Sequence, residues 1–395
     1  MASQDDVVII DGVRTAVGTF GGSLKGVPAP TLGAHVIREA LSRSGVSPED
    51  VNEVVLGAVG QVSRDAFMAR VAALEAGLPP DTSTAQTVNR LCGSGLQAIV
   101  TGSQWLRLHD ADVVVAGGTE NMSALPYYVW NRWGRRLGHS ELEDGVLSAV
   151  TDPFERYPMG ITAEKVAEEF RISREEQDRL ALDSQTRAQA AIEQGRFEGQ
   201  IAPLDVVEGR ASKTFSVDEH PRETSLAKLA QLRPAFKEGG SVTAGNSSGI
   251  NDGAAAVVMM RGDDAGRRGL EPRGRLVSYA VAGIRPDIMG YAPVYAIRMA
   301  LSRAGLDIDQ IALTELNEAF AAQAAAVVRD AHLDWSTTNV NGGAIALGHP
   351  IGATGAILTV KLLYELERRR ERYGLVTMCI GGGQGIAAVF ENYRV

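Results

Sequence analysis

Thr84-Ala85-Gln86-Thr87-Val88-Asn89-Arg90-Leu91-Cys92-Gly93-Ser94-Gly95-Leu96-Gln97-Ala98-Ile99-Val100 passes from a strand through a glycine-flanked turn into a helix. Residues 84–88 read as the strand and 95–108 as the helix. The same grammar extends outward. Residues 7–11, 53–58 and 113–117 are further strands, and 32–44 a further helix. Val46-Ser47-Pro48-Glu49-Asp50 is a helix-start signal, with Ser47 as N-cap and Pro48 in the first helical position. After Pro272 the pattern returns. Residues 275–281, 313–316, Val340, 375–380 and 386–390 are strand-like, with helices near 293–304, 319–329 and 354–370. Strands that are apolar throughout and separated by helices imply a parallel or mixed sheet covered on both faces. The fold class is therefore α/β in two similar halves, residues 1–120 with 251–272 and residues 273–395.

Between the halves, residues 121–250, the alternation breaks down. This stretch holds Trp130, Trp133, the cluster Arg132, Arg135 and Arg136, and a helical run over 163–193. An insertion of that length reads as a lid or substrate-binding unit. After it, 253–260 is a buried strand that re-enters the first half.

With 395 residues the chain is long enough for two or three domains. No apolar run reaches the roughly 18 residues of a membrane span. Met1-Ala2-Ser3-Gln4-Asp5-Asp6 is acidic where a secretory signal would be basic and then apolar. Two cysteines are too few for a disulfide framework, so a reducing cytoplasm is the expected compartment. A net charge of −9 argues against nucleic-acid and anionic-membrane partners. One local exception is residues 222–237, where Arg222, Lys228, Arg233 and Lys237 face the single acid Glu223. That is either a solvated helix face or a site for a phosphate-bearing ligand.

Both cysteines head glycine-rich turns, where backbone N–H groups can crowd a reacting centre. Cys92 precedes a helix, whose N-terminus favours the thiolate; the bland alternative is a small core residue. No other cysteine is near enough in sequence to suggest a metal site. His349 lies in Gly342-Gly343-Ala344-Ile345-Ala346-Leu347-Gly348-His349-Pro350-Ile351-Gly352, a loop able to present an imidazole that takes a thiol proton. Cys379 ends an apolar strand at Gly381-Gly382-Gly383 and is either an acid/base thiol or a buried strand end. Asn317, in Asn317-Glu318-Ala319-Phe320, is either a helix N-cap or a group that holds a water or polarises a carbonyl. The Gly381–Gly385 turn is not a dinucleotide loop, for no helix and no acidic residue follow at the required distance.

Together these motifs resemble the four active-site loops of the thiolase family, in the family's order. The likeness runs from Val7 to the C-terminus and is strongest to bacterial biosynthetic-type acetyl-CoA acetyltransferases and β-ketothiolases. It implies a thiolase-like fold, two half-domains in α-β-α-β-α layers plus an inserted CoA-binding loop domain, assembled as a homotetramer of tight dimers. The implied activity is acetyl-CoA C-acyltransferase: reversible condensation of acetyl-CoA with an acyl-CoA, or CoA-dependent cleavage of a 3-ketoacyl-CoA. Cys92 would be the acylated nucleophile, His349 its base and Cys379 the second acid/base. Asn317 would hold a water in one oxyanion hole with His349, and the N–H groups of Cys92 and Gly381 would form the other. Arg222 and Ser248 match CoA-contacting positions. Met159, Phe236, Met289, Ala319 and Phe320 match the walls around pantetheine and acyl group. Coenzyme A and acetyl-CoA are implied as substrates, with no permanently bound cofactor and no metal. The chain departs from the family's pattern at Pro158-Met159, where a histidine commonly precedes the methionine, and over 223–227, which is one residue shorter; both bear on acyl-chain preference. Ketoacyl synthases share the fold but pair their cysteine with two histidines, where this chain has Cys379. A non-catalytic carrier of the same fold should lack Cys92, His349 or Cys379. Chain length, physiological direction and a preference for dicarboxylic chains stay open, as does whether Arg132, Arg135 and Arg136 meet an acidic acyl chain or decorate the surface.

Overall fold

The computed structural model describes residues 6–209 and 211–395. The acidic stretch over residues 1–5 lies outside them.

Nine strands carry the architecture: β1 (Val7–Arg14), β2 (Glu53–Gly57), β3 (Thr84–Val88), β4 (Val113–Asn121), β5 (Asn251–Arg261), β6 (Gly274–Gly283), β7 (Leu313–Leu316), β8 (Tyr373–Ile380) and β9 (Gln384–Asn392). The short strand Gly18–Thr19 adds to β5. The first half is ordered β1-β5-β4-β2-β3 and the second β6-β9-β8-β7. In each half the pairings at the start of that order are antiparallel and those at the end parallel. Where the first half has β3, the second has only a parallel bridge between Thr314 and Thr338. Val340 is therefore not a strand; the chain is already turning toward the glycine loop. The halves join through a short antiparallel pairing of β1 and β6, Val8 with Arg275 and Ile9 with Gly274. One continuous sheet thus folds over, rather than two separate ones.

Five helices complete the layers: α1 (Ala29–Ser44), α2 (Ser94–Arg107), α3 (Pro293–Ala304), α4 (Ala321–Asp330) and α5 (Thr354–Arg369). Successive residues of β5 serve opposite faces, as strand geometry requires. Val258 packs in the core under α1 with Leu32, Val36 and Ile37. Val257 packs in the central core with Leu96 and Ile99 of α2, Ile357 and Val360 of α5, and Val376 and Met378 of β8. A third core joins Val294 and Ile297 of α3 and Ala321 of α4 to Leu375 and Val389. The order is α-β-α-β-α, and burial on both faces explains why the strands are apolar throughout.

Two helix readings change. Pro48–Asp50 is a single 3₁₀ turn, because the Ser47 hydroxyl is engaged by Glu49 and caps nothing. The run over 163–193 is two helices, Met159–Glu169 and Arg174–Glu193, broken at Arg171 (φ 56°) and restarted by a Ser173/Glu176 capping box. The intervening segment is clamped to β1 by Arg14, whose guanidinium forks onto Asp218 at 2.7 and 2.9 Å and reaches Gln200 at 2.8 Å, all buried.

Candidate active site

Helices α2 and α5 cross in the central layer through glycine. A Cβ at Gly95 would lie 2.8 Å from the Ala356 nitrogen, and one at Gly355 only 2.3 Å from the Leu96 nitrogen. Bare backbone on both sides lets the helix N-termini meet. Cys92 lies two residues before one and His349 five residues before the other, so the crossing brings together residues far apart in sequence.

Each reactive group is held by its own local network. In the Cys92 turn, Ser94 Oγ accepts from Arg90 N at 2.9 Å and donates to Leu91 O at 2.6 Å, while Asn89 Oδ1 accepts from Leu91 N at 3.0 Å. Leu91 takes a left-handed φ of 46°, a sparsely populated conformation in the turn that follows β3 and leads to Cys92 on the cavity wall. Gly348, at φ 101°, does the same before His349, and a Cβ there would strike Asn251 at 2.4 Å. Asn251 Oδ1 instead accepts from His349 N at 2.9 Å. Cys379 is fully buried near the end of β8, opposite Gly385.

The imidazole is oriented from behind. Thr354 Oγ1 donates to Pro350 O at 2.9 Å, so toward His349 Nδ1, 2.6 Å away, it acts as acceptor. The Nδ1 proton is thereby fixed, and Nε2 is left as a lone pair facing Asn317 Nδ2 at 3.4 Å. Removing that acceptor with Thr354→Val is expected to cut kcat roughly 10- to 100-fold with little change in KM, part of what general-base catalysis supplies. Thr354→Ser should restore it; equal kcat in the Val and Ser variants would show that the hydroxyl does not set the tautomer.

Asn317 is not a helix cap. Helix α4 begins at Ala321 with Phe320 in the N-cap position, and Asn317 N donates to Thr377 O at 3.0 Å. Its Oδ1 is buried with no protein partner, an acceptor available to a water or a substrate group. Next to it, Glu318 is pinned by Ser184 at 2.6 Å, Asn339 at 2.7 Å and the Ile345 N–H at 3.2 Å.

These groups converge on a cavity of about 390 Å³. Cys92, His349, Cys379 and Gly381 all line it. So do Met159, Phe236, Ser248, Met289, Ala319 and Phe320. Phe236 and Phe320 meet edge to face with centroids 6.1 Å apart, and Ser248 N donates to Ala319 O at 3.0 Å. Asn317, which faces His349 Nε2, is not itself on the wall. Arg222 is also off the wall; it is exposed, its guanidinium donating to Ala244 O at 2.9 Å and its N–H to Gln185 Oε1 at 2.9 Å. Lys228, Arg233 and Lys237 of the same basic segment are exposed as well. Among the described residues no group of three or more His, Cys, Asp or Glu side chains is arranged to hold a metal.

Burial sets the protonation states. It pushes the Cys92 thiol up to about 11, against the opposing pull of the N–H groups of Gly381 and of Cys92 itself. The thiolate expected from the helix N-terminus is therefore not the resting form: α2 starts only at Ser94, and desolvation outweighs the donors. Burial also holds His349 down at about 4, a neutral acceptor. Cys379 is raised by burial and by neighbouring Cys92, and so rests as an acid. The two N–H groups that act on the Cys92 sulfur are the arrangement an oxyanion needs beside it.

Glu120, at the end of β4, joins the halves of the site. Its carboxylate accepts from Val59, Gly60 and Gly352, each at 2.9 Å, and burial raises it to about 7. The sequence reading passed over Glu120, Asn251 and Thr354. Polar residues at the ends of otherwise apolar strands, Thr119-Glu120-Asn121 and Asn251-Asp252, are the signal that marks the first two.

The family profile described as Thiolase, N-terminal domain matches residues 7–263, and that described as Thiolase, C-terminal domain matches residues 270–392. The chain belongs to the thiolase family. It is 55% identical to the β-ketothiolase BktB of Cupriavidus necator over 98% of this chain and 99% of that one. The crystal structure of the acetyl-CoA acetyltransferase of Bacillus anthracis superposes with a TM-score of 0.97 at 47% identity, covering 99% of this thiolase and 100% of that chain. Human mitochondrial 3-ketoacyl-CoA thiolase in complex with CoA gives a TM-score of 0.95 at 45% identity, covering 99% of each. The thiolase is thus an acyltransferase of acyl-CoA thioesters, by family and by fold. Among its described residues no helix is long and apolar enough to cross a membrane.

Proposed function

We propose that this thiolase works by a ping-pong mechanism through an acyl-Cys92 intermediate, as an acetyl-CoA C-acyltransferase. The observation that carries the reading is the convergence of two thiols and one neutral imidazole on a single cavity.

In the cleavage direction, Cys92 sulfur attacks the 3-keto carbon while its proton passes to His349 Nε2. The resulting oxyanion takes the N–H groups of Cys92 and Gly381. The C2–C3 bond then breaks, and its electron pair becomes the enolate of acetyl-CoA. Enolate oxygen is met by His349 and by a water held on Asn317 Oδ1, and Cys379 protonates C2. CoA next gives its thiol proton to the Cys379 thiolate and attacks the acyl-Cys92 thioester. Cys92 sulfur leaves, recovering its proton from His349. Run backwards, Cys379 removes an α-proton from acetyl-CoA, which requires the enolate donors. One such donor is typically worth about 3–4 kcal/mol.

On this reading residues 121–250 form the CoA-binding domain between the halves 1–120 with 251–272 and 273–395. Met159, Phe236, Met289, Ala319 and Phe320 enclose pantetheine and the reacting acyl groups. Ser248 on the wall and Arg222 on the exposed basic segment contact CoA. No resident cofactor is required, since CoA is itself the substrate. The enzyme works in the cytoplasm as a homotetramer of tight dimers. Exposed Trp130, Trp133 and Leu137 offer apolar surface for assembly, and a monomeric sedimentation coefficient would rule the assembly out. The deciding assay is CoA-dependent cleavage of acetoacetyl-CoA by the full chain, with Cys92→Ser as control.

A further inference from the structure

The two N–H groups that act on the Cys92 sulfur come from different halves of the fold, Cys92 from the first and Gly381 from the second. Each sits in a turn. Arg90 is built into the first turn through its main chain: its N–H donates to Ser94 Oγ at 2.9 Å, and its carbonyl accepts from Gly93 N at 3.0 Å. Gln384 closes the second, pairing with Ile380 across the three glycines between β8 and β9.

The turns are pressed together. A Cβ on Gly93 would lie 2.7 Å from Ile380 Cδ1, and one on Gly381 would lie 3.4 Å from Leu91 Cδ1. Apolar contact of this kind is non-directional, so it holds the turns close without fixing how far one slides along the other. A hydrogen bond supplies the direction. Arg90 Nη1 donates to Gln384 Oε1 at 2.9 Å, crossing from one turn to the other between two partly buried side chains. Arg90 Nε is buried without a partner among the described residues, so the guanidinium is held through Gln384.

We propose that Arg90 and Gln384 are positioning residues, whose hydrogen bond sets the spacing of the Cys92 and Gly381 N–H groups and so the fit of that oxyanion hole to the acyl oxygen. The inference rests on the acyl-Cys92 reading above. Cys92 is two residues from Arg90 and Gly381 three from Gln384, so a shift of either anchor reaches the hole through a short piece of backbone. Misplacing a reacting group by an ångström can cost about 100-fold in rate. Losing one oxyanion donor outright costs about 100- to 1,000-fold.

Two assays on the full chain test the pair: CoA-dependent cleavage of acetoacetyl-CoA, and exchange of the acetyl group of acetyl-CoA onto isotopically labelled CoA. The exchange passes onto and off Cys92 without making or breaking a carbon–carbon bond. It therefore reads this hole and not the enolate site. Arg90→Met and Gln384→Leu are each expected to lower kcat roughly tenfold in both assays, with KM changed by less than about twofold. Either change removes the same bond, so the double variant should be no slower than the singles. Gln384→Glu keeps an acceptor facing Arg90 and should hold most of the wild-type rate. Wild-type kcat in either single variant, losses that multiply in the double variant, Gln384→Glu as slow as Gln384→Leu, or slowed cleavage with exchange intact would overturn the proposal. A loss in Arg90→Met alone would overturn it too, since the arginine's charge rather than its bond would then be the source. If the wild-type chain neither exchanged acetyl groups nor cleaved acetoacetyl-CoA, the acyl-Cys92 reading would fall, and this inference with it.

Discussion

Cys92→Ser is expected to lower CoA-dependent cleavage of acetoacetyl-CoA on the order of 10⁴-fold or more, the scale on which other enzymes lose rate with their nucleophile. The replacement is nearly isosteric, so the Ser94 and Asn89 bonds that shape the turn persist. The loss is therefore chemical. Burial already holds the Cys92 thiol up at about 11 while His349 stays down at about 4, so proton transfer between them is uphill even from sulfur. A serine hydroxyl is a far weaker acid than a thiol, and the same imidazole has no means to activate it. Steady-state cleavage and the amount of acyl group retained on denatured protein are the two measurements. Cleavage above a few percent of wild type, or an acyl group recovered elsewhere on the chain, would remove Cys92 from the mechanism.

The largest effect on stability is expected from Lys361→Met. Lys361 Nζ is 2.7 Å from Glu315 Oε2 and 2.8 Å from Gly342 O, and both side chains of the pair are about 3% exposed or less. Burial already raises Glu315, and Lys361 is what opposes that shift. Methionine fills the volume but leaves the carboxylate stranded beside Glu318 and Glu365. The cost of such a stranded charge is about 3–5 kcal/mol. With an unfolding entropy of about 2.1 cal/mol/K per residue, Tm should fall by roughly 4–6 °C. The double variant Lys361→Met/Glu315→Leu should recover most of it, since the charge itself is then gone. Thermal or urea unfolding of the three proteins decides the matter; a double variant no more stable than the single one would show that the ion pair is not the source. Activity should fall with stability in the single variant. Glu315 lies two residues before Asn317, and Gly342 begins the loop that carries His349.

The reactive groups were legible because glycine leaves an unusual local signature around each of them. Cys92, His349 and Cys379 each sit beside residues that suit no ordinary core element. Asn317 was readable only in company, for alone it looks like a cap, and α4 in fact starts four residues later. Glu120, Asn251 and Thr354 escaped because their partners lie on other elements: Glu120 spans residues 59 to 352, and Asn251 reaches His349 across the half-domain boundary. A polar residue near a strand or helix end has many local explanations, and sequence offers no way to choose among them. The helix reading of 163–193 failed for a different reason, since Arg171 and the Ser173 cap interrupt a run whose composition favours helix throughout.

Sequence by itself determined the layered α/β class, since strands apolar on both faces must be covered on both, and it marked Cys92, His349 and Cys379 by their glycine settings. Only the tertiary structure decided which groups meet and in what state. The Gly95–Gly355 crossing brings Cys92 and His349 to one cavity. Burial there overrides the helix N-terminus and leaves thiol and imidazole both neutral. Proximity and desolvation depend on elements distant along the chain, whereas backbone preference and the glycine setting of each thiol and of the imidazole are local.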